Sequence, residues 1–490
     1  MQTTLDRRSF CASAALGAAS LALAPHSLAA ALKGGSRPNV VYILADDLGW
    51  GDMDVYNSHS AIPTPHCNAF ARQGMRFTDM HSASAVCTPS RYAILTGRYP
   101  WRSRLKKGVL WGESPNLIEV GRMTVPSMLK ADGYYTAGVG KWHLGLGDAE
   151  KTDYTKPLRP GPISHGFDYY YGIPASLDMN PYLYFENEHV VEQPTTEDPG
   201  SKTPRGVFWR PGLRAPDLEF PQVLPTLTRK VVDILHQRAE HKQQPFFLYF
   251  ALPSPHTPWV PLPEYHGKSG AGDYGDYVVE VDAMIGRVLD TIHELGFDDN
   301  TLVVITSDNG ADWKPGDIER YPHRANADWK GEKADVWEAG HRIPFVARWP
   351  GHIPANTVCN ETGSLTDLMG TLSAILHQPL PPNAGEDSFN LLPALLHQPH
   401  RPIRTSIIDE SNLGMMTIRE GDWKLELGLG SGGFSEPREV EPAPGGVQGQ
   451  LYNLADDPRE LYNLWARRPE IVQRLTRMLN EQMASGHTRY

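Results

Sequence analysis

Short apolar runs alternate with amphipathic stretches along most of the chain. Val40–Leu44, Tyr134–Val139, Phe246–Ala251 and Leu302–Thr306 are compact runs of the kind that form strands buried on both faces. Helical patterns lie between them. The clearest carries Val281, Met284, Ile285, Val288, Leu289, Ile292 and Leu295 at helical spacing and stops before Gly296. That stripe is core packing and carries no chemistry. Buried strands alternating with amphipathic helices predict an α/β fold, a mostly parallel sheet sandwiched by helices. Residues 150–225 break the pattern, being rich in Pro, Tyr, Asp and Gly with little periodicity. A long stretch of that kind suits the wall of a substrate cleft. Beyond residue 400 the character changes again. Thr417–Leu427 alternates like a strand, a Gly/Pro/Glu-rich loop follows, and Pro469–Ala484 reads as a closing helix. The expected organisation is a main domain over 37–400 and a small C-terminal α+β subdomain over 401–490, an antiparallel sheet with a terminal helix.

Composition narrows the function class. The formal net charge of −11 argues against a nucleic-acid binder. It leaves room for an anionic substrate, because a few cations focused in a cleft outweigh a mildly acidic exterior. The four cysteines are Cys11, Cys67, Cys87 and Cys359, too few for a disulfide framework, with a Cys67–Cys359 bridge left open. The segment 1–32 reads as an export signal. Arg7-Arg8-Ser9-Phe10 has a twin-arginine form, an Ala-rich apolar run follows to Ala24, and small residues at Ala29–Ala31 offer a cleavage site. The run is shorter than the ~20 residues a spanning helix needs. The chain is therefore expected in the periplasm or outside the cell, with no membrane span after processing.

Chemistry enters where polar clusters succeed the buried runs, since ligands in open α/β sheets bind beyond the carboxyl ends of strands. Val40–Leu44 leads to Asp46 and Asp47, and Leu302–Thr306 leads to Asp308 and Asn309. Phe246–Ala251 leads to His256, and Tyr134–Val139 to Lys141 and His143. Asp46, Asp47, Asp308 and Asn309 form an all-oxygen set, which suits Ca²⁺, or less well Mg²⁺, rather than zinc. Each Asp alone reads equally well as a turn former or helix cap. Cys87 stands at the start of Cys87-Thr88-Pro89-Ser90-Arg91, just before a helix that Pro89 opens and Gly97 closes. As a cysteine it is either a low-pKa thiol at a helix N-terminus or a small buried residue.

Cys87, Pro89 and Arg91, with Thr96-Gly97-Arg98 downstream, resemble the C-x-P-x-R…T-G-R signature of the type I sulfatase family, in the alkaline-phosphatase-like superfamily. Asp46-Asp47-Leu48-Gly49, Gly140-Lys141-Trp142-His143-Leu144-Gly145, Ser254-Pro255-His256-Thr257-Pro258 and Ser307-Asp308-Asn309-Gly310 match further segments in order. Lys333, ahead of Trp337–Pro344, matches the last catalytic lysine, with Lys330 a nearby competitor and Ala339 standing where the family more often has Gly. The resemblance implies that a formylglycine-generating enzyme oxidises Cys87 during maturation. The hydrated aldehyde would attack sulfur, and its second hydroxyl would then expel sulfate. Asp46, Asp47, Asp308, Asn309 and the matured Cys87 would hold the cation. Arg91, Lys141 and Lys333 would supply positive charge, His256 the acid and His143 the base.

An exported chain of this kind suits a sulfated carbohydrate more than a small cytosolic ester, with aryl sulfates as simple surrogates. Asp178, Asn180, Trp209 and Arg210 are candidate sugar contacts, and equally read as packing and turn residues. Rival readings are a phosphonate or phosphodiester hydrolase of the same superfamily and an exported glycan-binding relative without activity. A thiol hydrolase leaves the four oxygen ligands unexplained. The oligomeric state is not legible.

Overall fold

The computed structural model describes residues 37–489. The expected export signal over 1–32 lies outside them. A ten-stranded sheet runs through the protein. Four parallel strands make its centre, in the spatial order Thr301–Ser307, Asn39–Asp46, Phe246–Pro255 and Tyr135–Lys141. The first three are buried at every position. That burial explains why they read as continuous apolar runs rather than alternating ones. Phe345–Arg348 extends the sheet antiparallel on one side, and Met75–Phe77 and Thr357–Cys359 complete that edge.

Helices flank the sheet in two groups. Pro65–Gln73, Val223–Ala239 and Gly272–Glu294 pack on one another and on the central strands. Cys87–Thr96 packs with Val125–Ala131 and Leu368–Ile375. The apolar stripe from Val281 to Ile292 lies within Gly272–Glu294 as the periodicity requires. Cys87–Thr96 is buried throughout and closes at Gly97, whose φ of 63° is a left-handed cap favouring glycine. The helix starts at Cys87 itself, one residue earlier than the placing of Pro89 implies.

Two points that the sequence leaves open are decided by the fold. The weakly periodic stretch 150–225 holds short strands as well as loops. Tyr169–Ile173 adds a fifth parallel strand, and the hairpin of Phe185–Glu186 and His189–Val190 carries the sheet to its edge. These strands are two to five residues long, so periodicity does not reveal them. Among the described residues Cys67 and Cys359 are free, Cys67 on a helix with its N–H donating to Asp282, Cys359 on the edge strand.

The C-terminal antiparallel sheet runs Ile407–Glu410, Met416–Glu420, Trp423–Glu426 and Gln450–Asn453, with the helix Pro469–Ala484 against it. It shares one core with the segment around Cys87. Ile408, Ile418, Leu425, Leu451, Leu475 and Leu479 pack with Ala83, Ala93, Tyr99 and Trp101. A buried ionic knot ties the layers further. Lys424 Nζ lies 2.8 Å from Glu460, 3.1 Å from Glu338 and 3.2 Å from His341 Nε2. His81, Glu338 and His341 lie close enough together to share an ion, and the Lys424 ammonium already faces Glu338 and His341 there. Among the described residues, no helix is long and apolar enough to cross a membrane. Leu475→Ala should lower unfolding free energy by about 2–5 kcal/mol in denaturant titration. The shared core predicts one transition, and a separate early loss of the C-terminal sheet would contradict it.

Candidate active site

The four central strands deliver their polar ends to one edge of the sheet. Asp46 is the last residue of its strand, and its neighbour Asp47 turns the chain with φ of 65°. His143, two residues beyond the strand ending at Lys141, has φ of 54°. Left-handed backbone at non-glycine positions costs about 1–3 kcal/mol and concentrates at functional sites. The close approach of strands demands glycine at Gly140, where a Cβ would sit 1.8 Å from the Ala251 carbonyl oxygen.

Side chains from separate segments meet there. Lys141 Nζ donates to Asp46 Oδ2 at 2.6 Å, and Lys333 Nζ to Asp47 Oδ2 at 2.7 Å. Arg91 Nε donates to Asp308 Oδ2 at 3.0 Å, and its Nη1 to the Lys141 carbonyl at 3.1 Å. Asn309 Nδ2 donates to Asp47 Oδ1 at 2.7 Å. Cys87 Sγ lies 3.5 Å from Asp46 Oδ1, and His256 Nε2 3.8 Å from Asp47 Oδ2. Every one of these residues is buried. Lys330 instead donates to the Glu460 carbonyl and stacks on Trp337, so Lys333 is the lysine that reaches the site.

The electrostatics are set by burial. Three carboxylates, Asp46, Asp47 and Asp308, face three cations, Arg91, Lys141 and Lys333. Burial opposes ionisation of Asp46, yet Lys141, His256, Arg91 and Lys333 hold it well below the usual carboxylate range. Asp308 is pushed up to about 6 by burial and the charge of Asp46. Burial also pushes the Cys87 thiol up, against the pull of Lys141 and Lys333. An unmodified thiol here is a poor nucleophile. A hard divalent cation fits the donor set. Asn309 Oδ1 is buried with no hydrogen-bond partner among the described residues, beside three carboxylates that offer only oxygen.

The histidines differ in their tautomers. His143 Nε2 sits 2.8 Å from the Leu110 carbonyl, which only accepts, so Nε2 carries the hydrogen. Its Nδ1 is buried without a partner among the described residues. Burial, Lys141 and Arg91 keep the ring well below the usual imidazole range, hence neutral. Thr88 secures this arrangement, donating to the His143 carbonyl at 3.0 Å while its Oγ1 accepts from Leu110 N at 3.1 Å. His256 Nδ1 donates to the Thr257 carbonyl at 2.7 Å, leaving Nε2 toward the site.

Cys87, His143, His256 and Lys333 open onto a cleft of about 760 Å³. Asp178 and Arg210 line it, joined at 2.5 Å. Asn180 and Trp209 are not among its lining residues. The indole N–H of Trp209 donates to Asp198 and its ring packs on Phe220, while Asn180 backs onto Gly212. Sequence reasoning missed Lys107, Trp111, Arg205 and Lys314, and also Asn412, Leu413 and Phe434 from the C-terminal layer. They sit on loops whose course only packing decides. A larger groove, near 1100 Å³ and lined by His66, Phe70, Arg348 and His352, contains none of these residues.

Known proteins resemble the chain over most of its length. The family described as Sulfatase matches residues 38–377. The chain is 34% identical to an N-acetylgalactosamine-6-O-sulfatase of Bacteroides thetaiotaomicron, over 90% of this chain and 92% of that one. It is also 34% identical to arylsulfatase A of Homo sapiens, over 93% of this chain and 90% of the relative. A solved structure concerned with the metabolism of multiple glycosaminoglycans by Bacteroides thetaiotaomicron superposes with a TM-score of 0.82 at 33% identity, covering 91% of this chain and 99% of that one.

Arg91→Met should cost about 3–5 kcal/mol of stability in cation-free buffer, because it strands Asp308 as a buried charge and leaves Asp46 with Lys141 as its close partner. Chemical denaturation measures this. A loss below about 1 kcal/mol, the scale of an exposed ion pair, would contradict the charge balance described.

Proposed function

Because the chain belongs to the sulfatase family and is a sulfuric ester hydrolase, we propose that it desulfates a glycan using Ca²⁺ and a formylglycine made from Cys87. The observation that carries this reading is the convergence of Cys87 with Asp46, Arg91, Lys141 and Lys333 at the floor of one cleft. Similarity to an N-acetylgalactosamine-6-O-sulfatase makes 6-sulfated N-acetylgalactosamine the first substrate to test. Asp178 and Arg210 are the sugar contacts this reading retains. The twin-arginine motif supports export to the periplasm or beyond, where glycans are met. A formylglycine-generating enzyme is the maturation partner.

Formylglycine at position 87, as its hydrate, supplies an oxygen nucleophile and a second hydroxyl that cysteine lacks. Asp46, Asp47, Asp308 and Asn309 would hold Ca²⁺, whose chemistry there is to acidify a neighbouring hydroxyl and attract sulfate oxygens. A set of protein oxygens suits Ca²⁺ better than Mg²⁺, which keeps much of its water.

The chain's own groups do the rest. Three carboxylates and three cations leave the pocket neutral, so a divalent ion gives it the excess positive charge that an anionic sulfate ester requires. Lys141 and Lys333 are already fixed by their carboxylates and lose little freedom when sulfate binds. With Nδ1 of His256 committed to Thr257, a proton taken up at Nε2 can pass to the departing alcohol oxygen. His143 is neutral with Nδ1 free, which makes that nitrogen the acceptor of a proton during sulfate release.

Peptide mass spectrometry on protein matured in a competent host should find the Cys87 segment lighter, having lost H₂S and gained one oxygen. An intact thiol would overturn the formylglycine reading. Asn309→Ala should weaken Ca²⁺ binding by calorimetry by roughly tenfold or more, and turnover should fall with it. Full activity without measurable cation binding would remove the metal assignment. His256→Ala should slow esters with poor leaving groups at least about tenfold more than activated aryl sulfates. Equal losses on both would exclude it as the acid.

A further inference from the structure

The outer wall of the cleft holds a feature that the chemistry at Cys87 does not use. Trp111 lines the cleft with 51% of its surface exposed. A tryptophan so exposed within a concave site offers an apolar face for a ligand to cover. Its surroundings are built. The Arg210 guanidinium lies 4.7 Å from the Trp111 ring centroid and 5.0 Å from that of Phe208. Arg210 Nη1 donates to Asp178 Oδ2 at 2.5 Å and to the Asp178 carbonyl at 3.1 Å. Its backbone is pinned as well, with Arg210 N donating to the same carbonyl at 3.1 Å and Tyr182 Oη donating to Arg210 O at 2.5 Å. Asp178 is buried, whereas the Arg210 side chain keeps 34% of its surface exposed. The guanidinium fork is therefore oriented before any ligand arrives, which lowers the entropic cost of binding.

The two groups ask for different parts of one ligand. An exposed indole face takes the C–H-rich face of a pyranose, and a fixed guanidinium takes a carboxylate or sulfate. The local charge agrees. In a chain of net charge −11, the cleft outside the reacting centre carries Lys107, Arg205, Arg210 and Lys314 against Asp178 and Asp312, with Asp317 behind them pairing Arg205 at 2.7 Å. We propose that Trp111 and Arg210 form a second subsite that binds an acidic sugar joined to the sugar bearing the reacting sulfate. The preferred substrate is then a sulfated oligosaccharide with an acidic neighbour rather than an isolated sulfated monosaccharide. This rests on the sulfated-glycan reading of the same cleft.

Calorimetry on the full chain carrying Cys87→Ala, loaded with Ca²⁺, separates binding from turnover. The probes are 6-sulfated N-acetylgalactosamine, the disaccharide joining it to a uronic acid, and that disaccharide with its carboxyl reduced to an alcohol. The acidic disaccharide should bind about tenfold or more tighter than the monosaccharide, and carboxyl reduction should remove most of that advantage. Trp111→Ala and Arg210→Lys should each shrink the disaccharide-to-monosaccharide ratio by roughly fivefold or more. Thermal melting confirms that both variants are folded. A disaccharide that binds no better than the monosaccharide, a reduced form that binds as well as the acid, or a ratio unchanged in both variants overturns the subsite. Turnover of an aryl sulfate by the wild-type protein tests the sulfatase reading separately, so the two can fail independently.

Discussion

Three buried carboxylates must be neutralised where the central strands end, and much of the architecture answers to that requirement. Asp46, Asp47 and Asp308 have at most 3% of their surface exposed. Isolated charges in such a place would neutralise themselves or unfold the chain. Their partners arrive from three other places in the sequence. Arg91 comes from the helix that begins at Cys87, Lys141 from the end of its own strand, and Lys333 from a loop beyond Asn309. None of these cations is placed until sheet, helix and loop have packed together. Completing the fold and assembling the site are thus a single event. The cancelling charges also leave a pocket whose sign a divalent ion can set.

The C-terminal layer belongs to this arrangement. Its apolar residues share a core with Ala83, Ala93 and Trp101, so it braces the helix carrying Cys87. Its loops also hold the segment after Lys333. Asn412 N donates to the Ala334 carbonyl, Val336 N to the Ser431 carbonyl, and Phe434 N to Asp335. Asn412, Leu413 and Phe434 then appear in the cleft wall. The layer that reads from the sequence as an accessory therefore reaches both the segment carrying Lys333 and the wall of the cleft.

Much of the site is legible because its chemistry is local. Asp46-Asp47, Asp308-Asn309, Lys141 and His143 each come directly after a buried apolar run, and a strand that ends at the carboxyl edge carries the next residues to that edge. The Cys87 helix announces itself through Pro89 and Gly97. Spacing already favours Lys333 over Lys330, three residues away, and packing accounts for the difference by sending Lys330 toward Glu460. Position in the cleft likewise needs the fold. Of four candidates read from the sequence, Asp178 and Arg210 line the cleft, whereas Trp209 turns its indole to Asp198 and Phe220.

The sequence by itself determined the α/β class, the four strand ends and the polar residues those ends deliver to one edge of the sheet. Each depends on residues close together in the chain, where strand periodicity and helix capping act. Tertiary structure alone decided the short strands between Tyr169 and Val190, the tautomer of His143 and the course of the cleft. Strands of two to five residues have too little length for a period to show. A tautomer is set by whichever carbonyl packing brings near, here that of Leu110. A cleft wall is made where distant loops meet, as Trp111 meets Arg210, and nothing in the spacing along the chain encodes that distance.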